Sequence, residues 1–168
     1  MAALSQTTAQ VVPFNWRQHG ERVLQFQYEV YQENFPGFTV DRIFLADYER
    51  QLRSALRNPY EALWVIEEGG QAQGFLWATI ITTLVEEKLG YIKNVYVVPE
   101  RRGLGWAKLL VRRAEDWMRT MAVRKSALDV TCQNETAVAL YESCGYRVQR
   151  YRMERLLEPE ERREEERP

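Results

Sequence analysis

The sequence predicts an α+β fold, in which a mixed central sheet is flanked by helices in the order β-α-α-β-β-β-α-β-α-β. Segments with apolar side chains at helical spacing alternate with short β-rich runs along the chain. A turn at Gly69-Gly70 joins two of those runs as a hairpin. The 168 residues, 45% of them hydrophobic, suit one domain with a buried core. We expect a single domain over residues 1–157, followed by a charged, disordered tail over residues 158–168.

In the first half of the chain, turn and break residues separate the elements. Pro13 weakens the first strand, Phe35-Pro36-Gly37 ends the first helix, and Asn58-Pro59 ends the second helix. The predicted elements are a strand at 9–14, amphipathic helices at 21–34 and 41–57, and strands at 62–67 and 74–85.

In the second half, Pro99 stops a β-rich run and Gly145 is placed to cap a helix. The long helix between them carries an apolar stripe that includes Leu109, Leu110 and Ala114. The predicted elements are a strand at 91–98, a helix at 104–121, a strand at 127–132, a helix at 134–144 and a final strand at 146–157.

Composition excludes several classes of function. The two cysteines, Cys132 and Cys144, and the one histidine, His19, are too few for a zinc site, and we expect both thiols to be buried and reduced. His19 is predicted to lie in a loop. A net charge of −1 does not favour nucleic acid or an anionic membrane. The uncharged run 75–85 is too short to span a bilayer, and no signal peptide is evident, so a cytoplasmic location is expected.

The most informative segment is 97–107, where a β-rich run ends, a basic turn with glycines follows and a helix begins. Glycines allow close approach of the backbone, and the amides at a helix start carry positive potential. Together they suit a diphosphate, with Arg101 and Arg102 adding charge at the rim. No Lys-Ser/Thr pair follows the glycines and no Gly-x-Gly-x-x-Gly pattern occurs, which disfavours kinases and dinucleotide-binding proteins.

The same segment resembles the acetyl-CoA motif of the GNAT acetyltransferases, Val-x-Pro-x-x-Arg-x-x-Gly-x-Gly/Ala. A second motif over residues 128–146 resembles that family's strand, Asn-x-x-Ala and Leu-Tyr-x-x-x-Gly-Phe element, with Tyr146 in place of Phe. The resemblance covers roughly residues 90–147. It implies a mostly antiparallel sheet and an acetyl-CoA-dependent N-acetyltransferase that needs no metal.

The resemblance also implies which residues hold acetyl-CoA. The backbone of Val97 would contact the pantetheine arm, and the side chain of Asn134 would form a hydrogen bond with it. The cradle for the pyrophosphate would consist of Arg102, Gly103, Leu104, Gly105, Trp106 and Ala107.

For catalysis, the resemblance places Tyr141 as the general acid that protonates the departing thiolate. Asp129 stands where members resembling the ribosomal-protein N-terminal acetyltransferases carry an acidic general base. The alternative for Asp129 is a strand carboxylate paired with a Lys or Arg. Tyr96, Glu33 or a chain of waters are the other candidates for the base.

The acceptor is left open between a peptide N-terminus and a small-molecule amine. In the family the first two helices shape the acceptor site, and acidic and aromatic side chains over residues 21–50 could receive a cationic amine. Most of those side chains also fit packed rings and solvated charges. A homodimer is an open alternative to a monomer. The competing function is a non-catalytic acyl-CoA-binding or regulatory module on the same fold, although the presence of Tyr141 favours catalysis.

Overall fold

The computed structural model describes residues 9–35, 37–85 and 87–155. Five strands form one sheet in the order β1-β2-β3-β4-β5. Every neighbouring pair is antiparallel except β4 and β5, which are parallel. The α+β fold with a mixed, mostly antiparallel sheet is therefore confirmed. The strands are β1 (Gln10–Pro13), β2 (Glu61–Glu68), β3 (Gln71–Ile81), β4 (Leu89–Val97) and β5 (Ser126–Leu128).

Four α-helices accompany the strands in this part of the chain: α1 (Trp16–Asn34), α2 (Arg42–Ala55), α3 (Trp106–Thr120) and α4 (Glu135–Ser143). Helix α1 begins earlier than predicted because the Asn15 side chain caps it, accepting the N–H groups of Arg17 and Gln18. His19 therefore lies inside a helix, and its predicted loop position was wrong. Asp41 caps α2 in the same way by accepting the Phe44 N–H.

The sheet separates two apolar clusters, because consecutive strand residues point to opposite faces. Phe75 and Tyr96 pack under α1 and α2, whereas their neighbours Leu76 and Val97 pack under α3. The α3 stripe differs from the prediction. Leu110 and Ala114 are buried as expected, but Leu109 is exposed.

The predicted final strand over 146–157 is not formed in its described part, 146–155. The side chains of Val148, Tyr151 and Met153 are 65%, 89% and 93% exposed. A strand needs a partner for its backbone and a face to bury, and residues 147–155 are all exposed and pair with no strand in the described part of the chain. Positions 156 and 157 lie outside the described residues, as does the predicted tail over 158–168.

The cysteines also differ from expectation, since Cys132 is exposed and Cys144 half-buried. Within residues 9–35, 37–85 and 87–155, no cluster of His, Cys, Asp or Glu side chains is arranged to hold a metal ion. A search of the same residues finds no helix with the length and apolar character needed to cross a membrane.

Candidate active site

The loop between β4 and α3 has the geometry of an anion site. Gly103 and Gly105 both have φ of +78°, a left-handed conformation that glycine adopts without strain. A Cβ at either position would meet no atom within 4 Å, so the loop surface is open. Gly105 caps α3 without a side-chain hydrogen bond, and the first amides of a helix have no acceptor within it. These outward amides suit the oxygens of a diphosphate.

The side chains of the remaining predicted cradle residues differ in burial. The side chain of Trp106 is buried in the cluster under α3, and Ala107 packs against the same cluster. The Leu104 side chain is exposed at the loop surface. The chain thus presents its amides at this turn while the Trp106 side chain anchors the helix start.

Both arginines of the loop are paired with carboxylates, which the sequence did not indicate. Arg101 binds Glu68 at 2.6 Å, and Arg102 binds Glu33 at 2.9 Å. The Arg102 Nε also donates to the Val97 carbonyl oxygen at 3.0 Å. The expected positive rim is therefore neutralised by the protein itself. Recognition of an anion at this loop then depends on the backbone amides and the helix dipole.

The second half of β4 has a free backbone edge. β5 pairs with β4 only over Gly90–Ile92, so the following residues have no strand on that side within the described chain. On the opposite side, towards β3, the Val98 N–H donates to the Gln73 carbonyl oxygen at 2.9 Å. Because successive backbone groups alternate in direction along a strand, those of Val97 face this edge, where its carbonyl oxygen already accepts the Arg102 Nε. The predicted main-chain contact at Val97 lies where an extended ligand could pair with the sheet.

A β-bulge interrupts β4 beside this edge. Trp77 pairs with Asn94 and Ala78 pairs with Ile92, so Lys93 is an extra residue in β4. A bulge bends a strand and redirects its side chains. Lys93 and Asn94 consequently both face α1 and α2, where they line a cavity of about 130 Å³.

Helix α4 carries two predicted site residues. The Asn134 Oδ1 accepts the Ala137 N–H at 3.1 Å, and its Nδ2 donates to Asn34 Oδ1 at 3.1 Å. Burial, with a smaller effect of Cys144, raises the pKa of Tyr141 to about 12. Its hydroxyl has no hydrogen-bond partner among the described residues, and it is protonated at neutral pH, as a general acid must be.

The candidates for the general base have different surroundings. Asp129 follows β5, is exposed, and accepts the Tyr91 hydroxyl at 2.8 Å, with no Lys or Arg paired to it among the described residues. Tyr96 donates to Glu29 at 2.6 Å, and burial together with Glu29 raises the pKa of its hydroxyl well above the usual value. A phenol held in its protonated form is a poor base. Glu33 is engaged by Arg102.

Sequence reasoning missed the polar side chains under α1 and α2. Gln27 is fully buried and donates to the Val23 carbonyl oxygen at 2.8 Å. Its Oε1 accepts from Asn94 Nδ2 at 3.3 Å, and the same Nδ2 donates to the Tyr48 oxygen at 3.2 Å. A glutamine within the apolar stripe of α1 was the available signal. It marks a polar group for which the fold must supply partners.

The free edge of β4 and the glycine loop at the start of α3 lie next to each other in a mixed, mostly antiparallel sheet, as the resemblance to the GNAT acetyltransferases implies. The sequence profile of the Acetyltransferase (GNAT) family matches residues 24–146, and the chain belongs to this family. It is an N-acetyltransferase that uses acetyl-CoA as its acetyl donor.

Individual relatives agree with this assignment. The chain is 28% identical over 111 residues to the uncharacterized N-acetyltransferase YdgE of Bacillus subtilis, covering 66% of this chain and 70% of that protein. It is 26% identical over 105 residues to aminoglycoside N(6')-acetyltransferase type 1 of Acinetobacter haemolyticus, covering 60% and 72%. A solved Pyrococcus furiosus structure, described as an acetyl transferase, superimposes with a TM-score of 0.71 at 26% identity, covering 89% of this chain and all of that one.

Proposed function

We propose that the protein transfers the acetyl group of acetyl-CoA directly to a primary amine of a small molecule. The observation that carries the proposal is the position of the free β4 edge. At one end of this edge is the loop that contains Gly103 and Gly105, whose backbone amides suit an anion. At the other end is the polar cavity lined by Lys93 and Asn94. A donor held along this edge would meet an acceptor entering from the side of α1 and α2. The resemblance to a protein named for aminoglycoside acetylation favours a small amine over a peptide N-terminus.

In this proposal the backbone at the free edge of β4 and the following loop bind the donor. The Val97 backbone pairs with the pantetheine arm, and the amides of residues 103–107 bind the pyrophosphate. Asn134 keeps one free N–H on Nδ2 and one free lone pair on Oδ1 after its contacts with Asn34 and Ala137. Either can bond to the amide groups of the pantetheine arm.

The chemistry requires the amine to lose a proton and the sulfur to gain one. Tyr141 donates the proton to the departing sulfur, which its raised pKa allows at neutral pH. Asp129 accepts the proton from the amine, through water where it is not in direct contact. Because Asp129 is exposed and already accepts the Tyr91 hydroxyl, it contributes less to the rate than Tyr141 does.

Thiol release from acetyl-CoA tests the reaction. Wild-type protein is incubated with acetyl-CoA and a panel of small primary amines, polyamines, an aminoglycoside and N-terminal peptides. We expect turnover with at least one small amine and none with the peptides. Turnover only with peptides would contradict the small-molecule proposal. Donor binding without turnover on any amine would favour the non-catalytic acyl-CoA-binding module.

Donor binding is measured separately by heat denaturation. A ligand present at about 100 times its Kd stabilises the native state by about 2.7 kcal/mol, and for a domain of this size that raises Tm by roughly 5–10 °C. Acetyl-CoA should produce such a shift. An unchanged Tm together with no heat of binding in calorimetry would reject the donor site.

The cytoplasmic location expected from the sequence is part of the same proposal, since acetyl-CoA must be available to the enzyme. The choice between a monomer and a homodimer is open. Sedimentation velocity, at concentrations used in the activity assay, tests it directly.

A further inference from the structure

The cavity under α1 and α2 has a defined hydrogen-bonding character. Its volume is about 130 Å³, and its lining includes the hydroxyls of Tyr31 and Tyr48 together with the polar side chains of Asp47, Gln51, Lys93 and Asn94. One water needs about 10–15 Å³ measured in the same way, so the space holds a small organic group. Which group fits is determined by the donors and acceptors that the wall leaves free.

A chain of hydrogen bonds fixes the Tyr48 hydroxyl as a free donor. Gln27 Nε2 is committed to the Val23 carbonyl oxygen, which leaves Gln27 Oε1 to accept from Asn94 Nδ2. The same nitrogen donates to the Tyr48 oxygen, so Tyr48 acts as an acceptor in this contact. Its own hydrogen has no acceptor among the described residues. Burial raises the pKa of Tyr48 far above its usual value, so the hydroxyl keeps that hydrogen.

Lys93 supplies a second donor to the same cavity. Its Nζ lies 3.6 Å from the centroid of the Trp77 ring and 3.8 Å from Glu61 Oε2. Lys93 is therefore ion-paired with Glu61, and because an ammonium has three N–H donors, this single pair leaves donors for a ligand. The Lys93 side chain is in place only because the β4 bulge inserts this residue.

The carboxylates near the cavity already have partners. Both oxygens of Asp47 accept hydrogen bonds, one from Arg50 and the other from Gln51 Nε2 at 2.7 Å. Glu61 accepts the Trp77 indole N–H as well as facing Lys93. Lys93 is thus the one cationic side chain in the cavity lining, and the Tyr48 hydroxyl lies in the same lining with its hydrogen free. The Tyr31 hydroxyl also lines the cavity, and the buried Asn94 Oδ1 has no hydrogen-bond partner.

We propose that the acceptor molecule carries a carboxylate in addition to its amine, and that this carboxylate binds the Tyr48 hydroxyl and the Lys93 ammonium. The inference rests on the proposed function, in which the acceptor enters from this face. A carboxylate only accepts hydrogen bonds and can accept two at once, which suits the Tyr48 hydroxyl together with the Lys93 ammonium. A polycation would instead bring a second ammonium against Lys93. Small amino acids therefore fit this site better than polyamines or aminoglycosides.

Matched substrates test the proposal. Each amino acid of a small panel is compared with its own carboxamide, which has the same size and the same amine but lacks the negative charge of the carboxylate. Spermidine represents the polycations. Hydrogen bonds to charged groups correspond to roughly tenfold to hundredfold in binding. We expect kcat/KM for the amino acid to exceed that of its carboxamide by about this factor, mainly through KM.

Variants assign that preference to the two donors. Lys93→Met keeps the length of the side chain and removes its charge, and it should reduce the preference to about threefold or less. Tyr48→Phe should weaken binding of the carboxylate, so that KM rises more for the amino acid than for its carboxamide. Lys88→Met, at an exposed lysine whose Nζ donates to the Met121 carbonyl oxygen, is the control and should behave as wild type.

A binding measurement separates this proposal from the proposed function. The N-acetylated amino acid and its carboxamide are titrated into wild type and Lys93→Met by calorimetry, which requires no turnover. Tighter binding of the carboxylate, lost in Lys93→Met, supports the inference even if the thiol-release assay fails. Equal binding of the two ligands, a preference that survives Lys93→Met, or the highest kcat/KM with spermidine would overturn it.

Discussion

The two faces of the sheet are built from different side chains. Under α3 the buried residues are all apolar, whereas under α1 and α2 the buried set includes His19 and Gln27 among the described residues. Both polar groups have partners: Gln27 bonds to Asn94, and His19 receives the Asn15 N–H and faces Glu67 at 2.7 Å. A buried polar group left unpaired costs about 1–3 kcal/mol.

Because of that difference, we expect the face under α3 to contribute mainly to the stability of the fold and the face under α1 and α2 to contribute also to recognition of the acceptor. The α3 face resembles an ordinary apolar core, in which the size of each side chain determines its contribution. The α1–α2 face retains hydrogen-bonded polar groups that orient one another and end at a cavity. Substitutions on the first face should therefore change the free energy of unfolding, and those on the second should also change recognition of the acceptor.

The largest effect is expected from two leucines, one on each face. Leu110 of α3 and Leu52 of α2 are both 0% exposed, and replacing a fully buried leucine with alanine costs about 2–5 kcal/mol. Urea denaturation should show this loss in Leu110→Ala and Leu52→Ala alike. Only Leu52→Ala should raise KM for the amine, because α2 carries Tyr48. Equal KM values in the two variants would contradict the division between the faces.

The next largest effect is expected from Tyr141→Phe. The ring and its packing against Tyr146 remain, so stability should change little, while kcat should fall by about 10²-fold, at the lower end of general-acid contributions. Because the pKa of Tyr141 is raised to about 12, the hydroxyl stays protonated throughout the usual assay range. The ratio of the wild-type and variant rates should therefore be constant between about pH 7 and pH 10. Tyr60→Phe, at an exposed tyrosine, is the control.

A ratio that declined from about pH 9 upward would mean that Tyr141 titrates near its ordinary value, contrary to its burial. Full activity in Tyr141→Phe would remove the acid role and leave proton transfer to a water.

Gly105→Val should weaken donor binding by about tenfold or more, because a β-branched residue both resists the left-handed conformation and covers the loop amides. The open turn between β2 and β3 provides a matched control. Gly70 has φ of +76° and open space where a Cβ would lie, so Gly70→Val imposes the same backbone strain outside the loop. Calorimetry with acetyl-CoA should show weaker binding only in Gly105→Val. Similar affinities in both variants would mean that strain, and not the position of the loop, determines the loss.

Much of this architecture could be read from periodicity and turn residues. The helices, the hairpin and the loop at 97–107 were predicted within a few residues, because each has a local signal. The final strand was predicted wrongly, because the alternation of apolar and polar residues over 146–157 does not show whether a partner strand exists. The partners of Arg101 and Arg102, and the bulge at Lys93, depend on residues distant in sequence and could not be inferred from local patterns. The assigned roles of Tyr141, Asp129 and Asn134 stay predictions.

The smallest effect is expected at Asp129, and the test uses its contact with Tyr91. Burial first, and then the hydrogen bond and charge of Asp129, raise the pKa of Tyr91 to about 12. Asp129→Asn removes the charge but keeps an oxygen that can accept the hydroxyl. The pKa of Tyr91 should therefore fall but remain above its ordinary 10.0, which ultraviolet difference titration against Tyr91→Phe can measure.

The sign of the effect on stability follows from the same shift. A phenol whose pKa is raised in the folded state contributes stability that is fully present below the unfolded-state pKa and is lost as the pH rises towards the folded value. Asp129→Asn should narrow the window of that loss, which begins near pH 10 and ends near pH 12 in the wild type. If Asp129 is also the base, kcat should fall a few-fold near pH 6 to 7 and recover towards pH 9, where more of the amine arrives already deprotonated. A loss that is the same at every pH would show that Asp129 only holds Tyr91 in place and that a water removes the proton.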